Sequence, residues 1–540
     1  MANGAAIITA GARGTARAYI PSATASAEDK YRYKYLIAIA VTLAAVLELI
    51  DTSIVNVAIP HMMGNLGATL DEISWVSTGY IIANVIVIPM SSWLSGYFGR
   101  KRYLTGSILL FVAASFFCGA ASTLGGLVFW RVVQGLGGGA LLSTAQTTLF
   151  EAFPPKEVGI GQAMFGVGVM VGPTIGPTLG GYIVDNLSWP WIFYINIPLG
   201  IFAAFMVFTY VRDSAHQRKS LTIDGSGILL LAVCVGALQW MLERGERMDW
   251  FDSRFVTVLG VTTVVSFVAL IIRELAIKEP VIDLRVLKNR QLAAGVMMGA
   301  FLGFALYGSV FVLPVFLQGL HGMTANQTGM IILPGALASA FTMAVVGRNS
   351  ARLDARVTVP IGASFFMFSM WSLSRLTFDS GAHELFWPLV ARGVGLGLIF
   401  VPLTGATMAE LVPEQLAQGT GMFNLTRQLG GSLGIAISAT LLSRFTAQSR
   451  ALLAEHVVVG DPLTTSRVEG LTRALIAKGA DVLSAKQQAL TILDRQLQGQ
   501  ASVLAFSKLY LLSGLALMAS LPLLLLFRSG KSRGLGSSAH

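Results

Sequence analysis

Two acidic residues stand where a membrane-spanning segment should be apolar. The stretch Leu49-Ile50-Asp51-Thr52-Ser53-Ile54-Val55-Asn56-Val57-Ala58-Ile59-Pro60 closes a hydrophobic run that begins near Tyr35, and Glu48 lies three residues before Asp51. On a helix that spacing sets the two carboxyls on neighbouring parts of one face. Ionisable groups at hydrocarbon depth are rare and costly, and they mark ion or proton pathways. Two carboxyls in one low-dielectric site do not both hold a charge cheaply, which is the property a proton carrier uses. The alternative is that both reach water at a helix end. Arg131 sits in another apolar run and stays cationic at any working pH, so it needs a carboxylate or a polar cavity. Either a coupling role or a static structural pair with the acids would satisfy it.

The elements that must position these groups follow from composition. The chain of 540 residues is 54% hydrophobic and 12% charged, with a mean hydropathy of +0.68, far from the quarter-charged average of soluble domains. Its apolar runs are each about 20 residues long, enough to cross ~30 Å of hydrocarbon as helices. No alternating ten-residue pattern is present, which excludes an outer-membrane barrel. The net charge of +10 needs no nucleic acid, because Lys and Arg gather on one side of a membrane for topological reasons. Cys118 and Cys234 fall in apolar runs without metal-ligand spacing, so packing is their expected role and no metal site is expected.

Spans are predicted near 35–60, 75–97, 103–121, 126–150, 159–184, 191–211, 223–243, 253–275, 292–318, 325–347, 357–377, 385–409, 417–444 and 506–527. An even number puts both termini on one side. Arg100-Lys101-Arg102, Arg212 to Lys219, Lys278 to Arg290, Arg348 to Arg356 and Arg528 to Arg533 then share that side, which the positive-inside rule makes cytosolic. Trp75, Trp93, Trp189, Trp191, Trp240 and Trp387 near span ends fit an interfacial aromatic belt.

The stretch 92–101 after the second span is echoed by 347–356 after the tenth. Arg131 beside Gly135, Gly137, Gly138 and Gly139 is echoed by Arg392 with Gly393, Gly395 and Gly397. The expected organisation is an all-α membrane protein. Residues 1–34 form a cytosolic tail, 35–211 a first six-helix half, 212–291 a linker with two extra spans, 292–527 a second six-helix half, and 528–540 a cytosolic tail. Duplicated halves around a central site are a transporter architecture. In the fifth span Gly168, Gly172, Gly176 and Gly180 recur every fourth residue, with Pro173 and Pro177 between them. That stripe lets another helix approach at backbone distance, and the prolines bend the helix. In the thirteenth span Asn424, Arg427, Gln428 and Gly431 share a face, which suits either a polar cavity wall or interhelical hydrogen bonds. The polar segment 446–505 carries Val468, Leu471 and Leu475, then Leu483, Leu490, Leu493 and Leu497, and so predicts two amphipathic helices.

In combination these motifs resemble the major facilitator superfamily, specifically its fourteen-span drug:proton antiporter family of the EmrB and QacA type. The stretch Leu49 to Pro60 is similar to that family's first-helix motif. Arg131-Val132-Val133-Gln134-Gly135-Leu136-Gly137 is similar to its fourth-helix motif, and Gly172 to Gly181 to its fifth-helix antiporter signature. Trp191-Ile192-Phe193-Tyr194-Ile195-Asn196-Ile197-Pro198 resembles the sixth-helix entry of the EmrB branch. The sequence departs from the superfamily pattern at Ser92 and Gly96, where Gly and Asp are usual, and Pro190 replaces a basic residue.

The resemblance implies a major facilitator fold in a bacterial cytoplasmic membrane, with two six-helix halves and two extra central helices. It implies proton-coupled export of amphipathic small molecules through Asp51, Glu48 and Arg131, with Gln134, Arg392, Asn424, Arg427 and Gln428 towards the cavity. The proton gradient replaces any cofactor. A periplasmic adaptor and an outer-membrane channel are the implied partners, with 446–505 as their contact. A dedicated exporter of one metabolite or acid is the rival reading, and a sensor or scaffold without transport is disfavoured by Asp51 and Arg131. No P-loop, HExxH run or GxSxG elbow appears, which argues against an enzyme and against ATP as the driver.

Overall fold

Backbone surrounded by hydrocarbon must satisfy its own hydrogen bonds, and the computed structural model does so with helices throughout its described residues. These are residues 31–213, 224–277, 280–350, 352–378, 380–457 and 461–527. The expected tails therefore fall outside them, save for residues 31–34 of the first.

In chain order the long helices are α1 (Lys34–Leu66), α2 (Trp75–Phe98), α3 (Arg100–Gly119), α4 (Leu124–Ala152), α5 (Val158–Asn186), α6 (Asn196–Tyr210), α7 (Gly225–Arg244), α8 (Arg254–Ala276), α9 (Arg290–Gly319), α10 (Ala325–Arg348), α11 (Ala355–Leu373), α12 (Ala382–Met408), α13 (Leu416–Ala454), α14 (Pro462–Ala477) and α15 (Val482–Ala519). Polar residues at the boundaries stop the runs. Asp224, Asn289, Asp354 and Asp481 accept backbone N–H groups at helix starts, and Thr324 closes a capping box with Gln327.

Each of the fourteen predicted spans coincides with one of these helices. Among the described residues, eleven stretches are long and apolar enough to cross a membrane by themselves. The helices α4, α11 and α13 fall short. They pack beside more apolar neighbours: α4 against α1, α2 and α3; α11 against α12 and α15; α13 against α9 and α2. Many of their polar residues, Gln134, Ser369 and Asn424 among them, are thus turned to protein rather than lipid.

The last predicted span differs. The second amphipathic run of 446–505 is not a separate helix but the first half of α15, which continues without a break into the apolar segment. No residue between Val482 and Phe506 breaks a helix, since Gly499 is the sole weak former there. Residues Val468, Leu471 and Leu475 of α14 turn inward towards this extension. The aromatic belt is only partly realised: Trp93 and Trp189 are buried within the protein, whereas Trp191 and Trp387 are exposed.

The pairings α1·α5, α2·α4, α3·α4, α3·α6, α1·α6 and α1·α4 recur as α9·α13, α10·α12, α11·α12, α11·α15, α9·α15 and α9·α12. The two bundles meet through α5·α10 and α2·α13, while α7 leans on α2 and α13 and pairs with α8. Glycines set the register inside each bundle. A Cβ on Gly135 would run into the carbonyl of Tyr80 in α2, and one on Gly137 into Ser107 and Phe111 in α3. In the second bundle Gly393 faces Gly335 of α10, and Gly395 faces Gly362 and Phe366 of α11.

Candidate functional site

The glycine stripe of α5 is the reason α1 can bring acids inside. Gly168 lies against Thr42 and Val46, Gly172 against Leu49, Gly176 against Ser53 and Gly180 against Ile54, all on α1. A side chain at any of these four would collide with that helix, so α1 and α5 pack at backbone distance. Pro173 and Pro177 lie within α5 and are half-buried. Glu48 and Asp51 are consequently turned away from α5 and into the first bundle.

Asp51 is fully buried and collects three donors. Arg131 Nη1 stands 2.6 Å from Oδ2, while Gln134 Nε2 and Asn196 Nδ2 donate to Oδ1 at 2.9 and 2.8 Å. Arg131, 1% exposed, also donates to Gln134 Oε1 at 2.6 Å and to the Val76 carbonyl at 2.9 Å. Its guanidinium lies 4.1 Å from the centre of the Tyr80 ring. Gln134 completes its set by donating to Ser115 Oγ at 2.7 Å. Helices α1, α3, α4 and α6 are thus closed around one ion pair. Removing either partner leaves an unpaired charge inside the bundle, at about 3–5 kcal/mol.

Glu48 is buried but does not join that web. Its Oε1 accepts from Asn84 Nδ2 at 2.9 Å, and its Oε2 has no hydrogen-bond partner. The two carboxyls on one face of α1 are therefore held by different residues. Glu48 lies within electrostatic reach of Arg427 on α13, so it looks across the seam between bundles.

On the far side of that seam Arg427 is 1% exposed. Its Nη1 meets the Tyr307 hydroxyl at 3.0 Å and its Nη2 meets Asn424 Oδ1 at 3.4 Å. Asn424 in turn donates to Gln146 Oε1 of α4 at 2.7 Å, and the hydroxyls of Thr147 and Thr420 meet beside it. The seam is thus bridged by side chains of α4 and α13. Gln428 is half-buried and stands outside this chain of bonds.

Arg392 is placed differently from the sequence expectation. The glycines of α12 repeat the contacts of those in α4, but Arg392 immediately precedes Gly393 just as Gln134 immediately precedes Gly135. It therefore occupies the place of Gln134, one helical turn beyond that of Arg131, and the place of Arg131 is taken by Leu389. The echo was of composition, whereas backbone contact fixes the register. Among the described residues Arg392 has no hydrogen bond or ion pair, and its Nη1 is buried without a partner.

At the end of the bundles that carries the α2–α3 loop, the acid absent at Gly96 has a substitute. Asp213, just after α6, accepts the Lys101 backbone N–H at 2.9 Å, next to Gly99 with φ of 88°. A carboxylate there complements the N-terminal end of α3. Arg100 pairs with Glu151 and Lys34 with Glu157 at the same end. Outside the membrane helices proper, Asp224 caps α7. Burial pushes its carboxyl upward, but bonds from Arg273 and the Gly227 N–H outweigh it and hold the group below the usual carboxylate range.

Asn196, Ser115, Asn84 and Tyr307 are site residues that sequence reasoning did not single out. Asn196 carried a signal, being an amide inside the apolar run Ile192 to Pro198. The others are single polar residues whose partners come from distant helices.

Residues 41–435 match the Major Facilitator Superfamily. Over 484 residues the chain is 33% identical to the multidrug export protein EmrB of Escherichia coli K12, covering 88% of this chain and 92% of that protein. It is 31% identical over 493 residues to the fatty acid resistance protein FarB of Neisseria gonorrhoeae, covering 90% and 96%. Among solved structures it resembles the human organic anion transporter MFSD10, with a TM-score of 0.58 at 12% identity over 90% of this chain and 99% of the other, a likeness of fold alone.

Proposed function

The chain belongs to the Major Facilitator Superfamily, in its EmrB-like branch, and on that premise we propose that it is a proton-coupled multidrug efflux antiporter. The observation that carries this reading is the buried Asp51–Arg131 pair and its web of amides. A carboxylate held by three donors takes a proton only as those donors leave it, so protonation and helix displacement become a single event. Arg131, released from Asp51, needs a new acceptor, and Gln134 Oε1 is already in contact with it. Glu48, whose Oε2 has no hydrogen-bond partner, offers a cationic or polar amphiphile its counter-charge. Alternating access then amounts to rocking of the two bundles about the α5·α10 and α2·α13 contacts.

The relatives named for multidrug export support amphipathic compounds as substrates. The relative named for fatty acid resistance favours a second reading, an exporter confined to acidic amphiphiles. A tripartite assembly with a periplasmic adaptor and an outer-membrane channel is part of the proposal. Its contact would be the hairpin of α14 and the extension of α15, where a groove of about 670 Å³ is lined by Val457, Leu463, Arg467, Leu471 and Leu493.

The test is transport into everted membrane vesicles with a panel of cationic, neutral and acidic amphiphiles, with and without a proton gradient. Uptake of several chemical classes that collapses with the gradient is expected. Uptake of acids alone would establish the narrower exporter, and gradient-independent uptake would remove proton coupling.

A further inference from the structure

The second bundle holds a set of hydrogen-bond donors for which the described residues supply no acceptor. Arg392 stands in the place of Gln134, as the glycine contacts of α4 and α12 require. Tyr510 stands in the place of Asn196 by the same kind of argument. Gly200 of α6 touches Val112 of α3, Gly514 of α15 touches Met367 of α11, and Asn196 and Tyr510 each lie four residues before their glycine. Val112 follows Phe111, the contact of Gly137, as Met367 follows Phe366, the contact of Gly395.

In the first bundle Gln134 and Asn196 both donate to Asp51 Oδ1. In the second, Arg392 and Tyr510 interact electrostatically, yet Arg392 Nη1 and the Tyr510 hydroxyl are both buried without a hydrogen-bond partner. Ser369 Oγ, fully buried and also unpartnered, lies on α11 three residues beyond Phe366, level with Arg392 three residues before Gly395. Helix α9, which packs on α12 and α15 as α1 packs on α4 and α6, contains no Asp or Glu between Arg290 and Gly319. A guanidinium is never neutral in a protein, and a buried charge without a counter-charge is among the costliest features a fold can carry. A phenol cannot neutralise it.

We propose that Arg392 and Tyr510 bind a monovalent anion inside the second bundle, beside Leu302, which stands on α9 where Asp51 stands on α1. Two sources share the required chemistry: a free halide, chloride above all, and the carboxylate of a small organic acid. The site stands whether or not the chain exports drugs, because it rests on packing register and unpaired donors rather than on transport.

The full-length protein, purified in detergent, is unfolded thermally while sodium chloride replaces the sodium salt of a bulky morpholine sulfonate buffer, neither halide nor carboxylate, at constant ionic strength. Buried Cys118 and Cys234 report unfolding through a thiol-reactive dye. Wild type should show a saturable rise in unfolding temperature with chloride. Arg392→Leu should show no rise and should be at least as stable as wild type in the sulfonate, because the uncompensated charge is gone. Tyr510→Phe should keep the rise but need several-fold more chloride for half-saturation. A parallel titration with sodium octanoate distinguishes the sources. A saturable octanoate rise that Arg392→Leu removes gives the site to carboxylates as well, and a response to chloride alone makes it a halide site. The proposal is overturned if wild type shows no saturable response to either anion, or if Arg392→Leu responds as wild type does. Should Arg392→Leu fail to fold, an unchanged half-saturation in Tyr510→Phe overturns it equally.

Discussion

The two helix bundles share a pattern of packing and differ in what they enclose. In the first, the polar groups of four helices converge on the carboxylate of Asp51, which the chain provides and which Arg131 pairs. In the second, the equivalent helices meet at equivalent glycines but set Arg392 beside two hydroxyls, with no carboxylate from α9. Backbone contact is satisfied by any sequence that keeps small residues at the crossing points, so packing can persist while side-chain chemistry changes. The charge set inside a bundle has to close as a unit, because each member is buried and depends on the others. Loss of the acid in the second bundle therefore changes what the remaining residues can bind, without disturbing how the helices meet.

The sharpest way to break the comparison is to remove the cation from each bundle in turn. Arg131→Ala leaves Asp51 buried without a counter-charge and should cost on the order of 3–5 kcal/mol of stability together with all gradient-driven efflux. Arg131→Leu combined with Asp51→Leu should recover much of that stability and none of the transport, since no charge is left unpaired. Thermal unfolding of the purified variants, read beside vesicle transport, separates the two effects. Equal destabilisation by the single and double changes would mean that packing of the arginine stem, not its charge, holds the first bundle. Asp51→Asn comes next in size. It keeps the shape of the acceptor but leaves Arg131 buried without a counter-charge. Stability should therefore fall, though by less than in Arg131→Ala because the amide oxygen still accepts from the guanidinium, and substrate added to the purified protein should no longer release a proton. Continued proton release would move the carrier elsewhere.

How far the sequence disclosed this contrast depends on the kind of residue. Asp51, Glu48 and Arg131 were visible because charge is conspicuous in an apolar run, and the α5 stripe because its period matches a helix face. The helices themselves followed from run length. Register was another matter: Arg392 near Gly393 reads like Arg131 near Gly135, and only the contacts of Gly393 with Gly335 reveal the shift of one turn. Asn196, Ser115 and Tyr510 are ordinary polar residues in sequence. Their importance arises from neighbours on other helices, which spacing along one helix does not encode. The continuity of α15 through Phe506 was hidden for a further reason, since hydropathy marks where lipid contact ends and not where a helix does.

A third prediction tests whether packing is as equivalent as it looks. Gly176→Leu would drive a side chain into Ser53 of α1, and Gly434→Leu would drive one into the Phe304 backbone of α9. Overpacking of this kind costs about 1–3 kcal/mol, and both variants should insert in the membrane yet transport several-fold more slowly. The comparison would fail if Gly434→Leu transported normally while Gly176→Leu did not, because α9 and α13 would then have room that α1 and α5 lack.

The smallest expected effect falls on the one acid that looks from the first bundle to the second. Glu48→Gln can still accept from Asn84, so the fold should lose little, but the charge facing Arg427 disappears. Efflux should fall several-fold without vanishing, with cationic substrates affected more than neutral ones. Arg427→Leu removes the opposite member and breaks its bonds to Tyr307 and Asn424. If the two charges act as a pair across the seam, the double variant should lose less than the two single losses combined, with a coupling on the order of 1 kcal/mol. Efflux rates of wild type, both single variants and the double variant complete the cycle. Strict additivity would show that Glu48 and Arg427 serve their own bundles separately, and that the bundles communicate through other contacts, among them the Asn424–Gln146 and Thr147–Thr420 bridges.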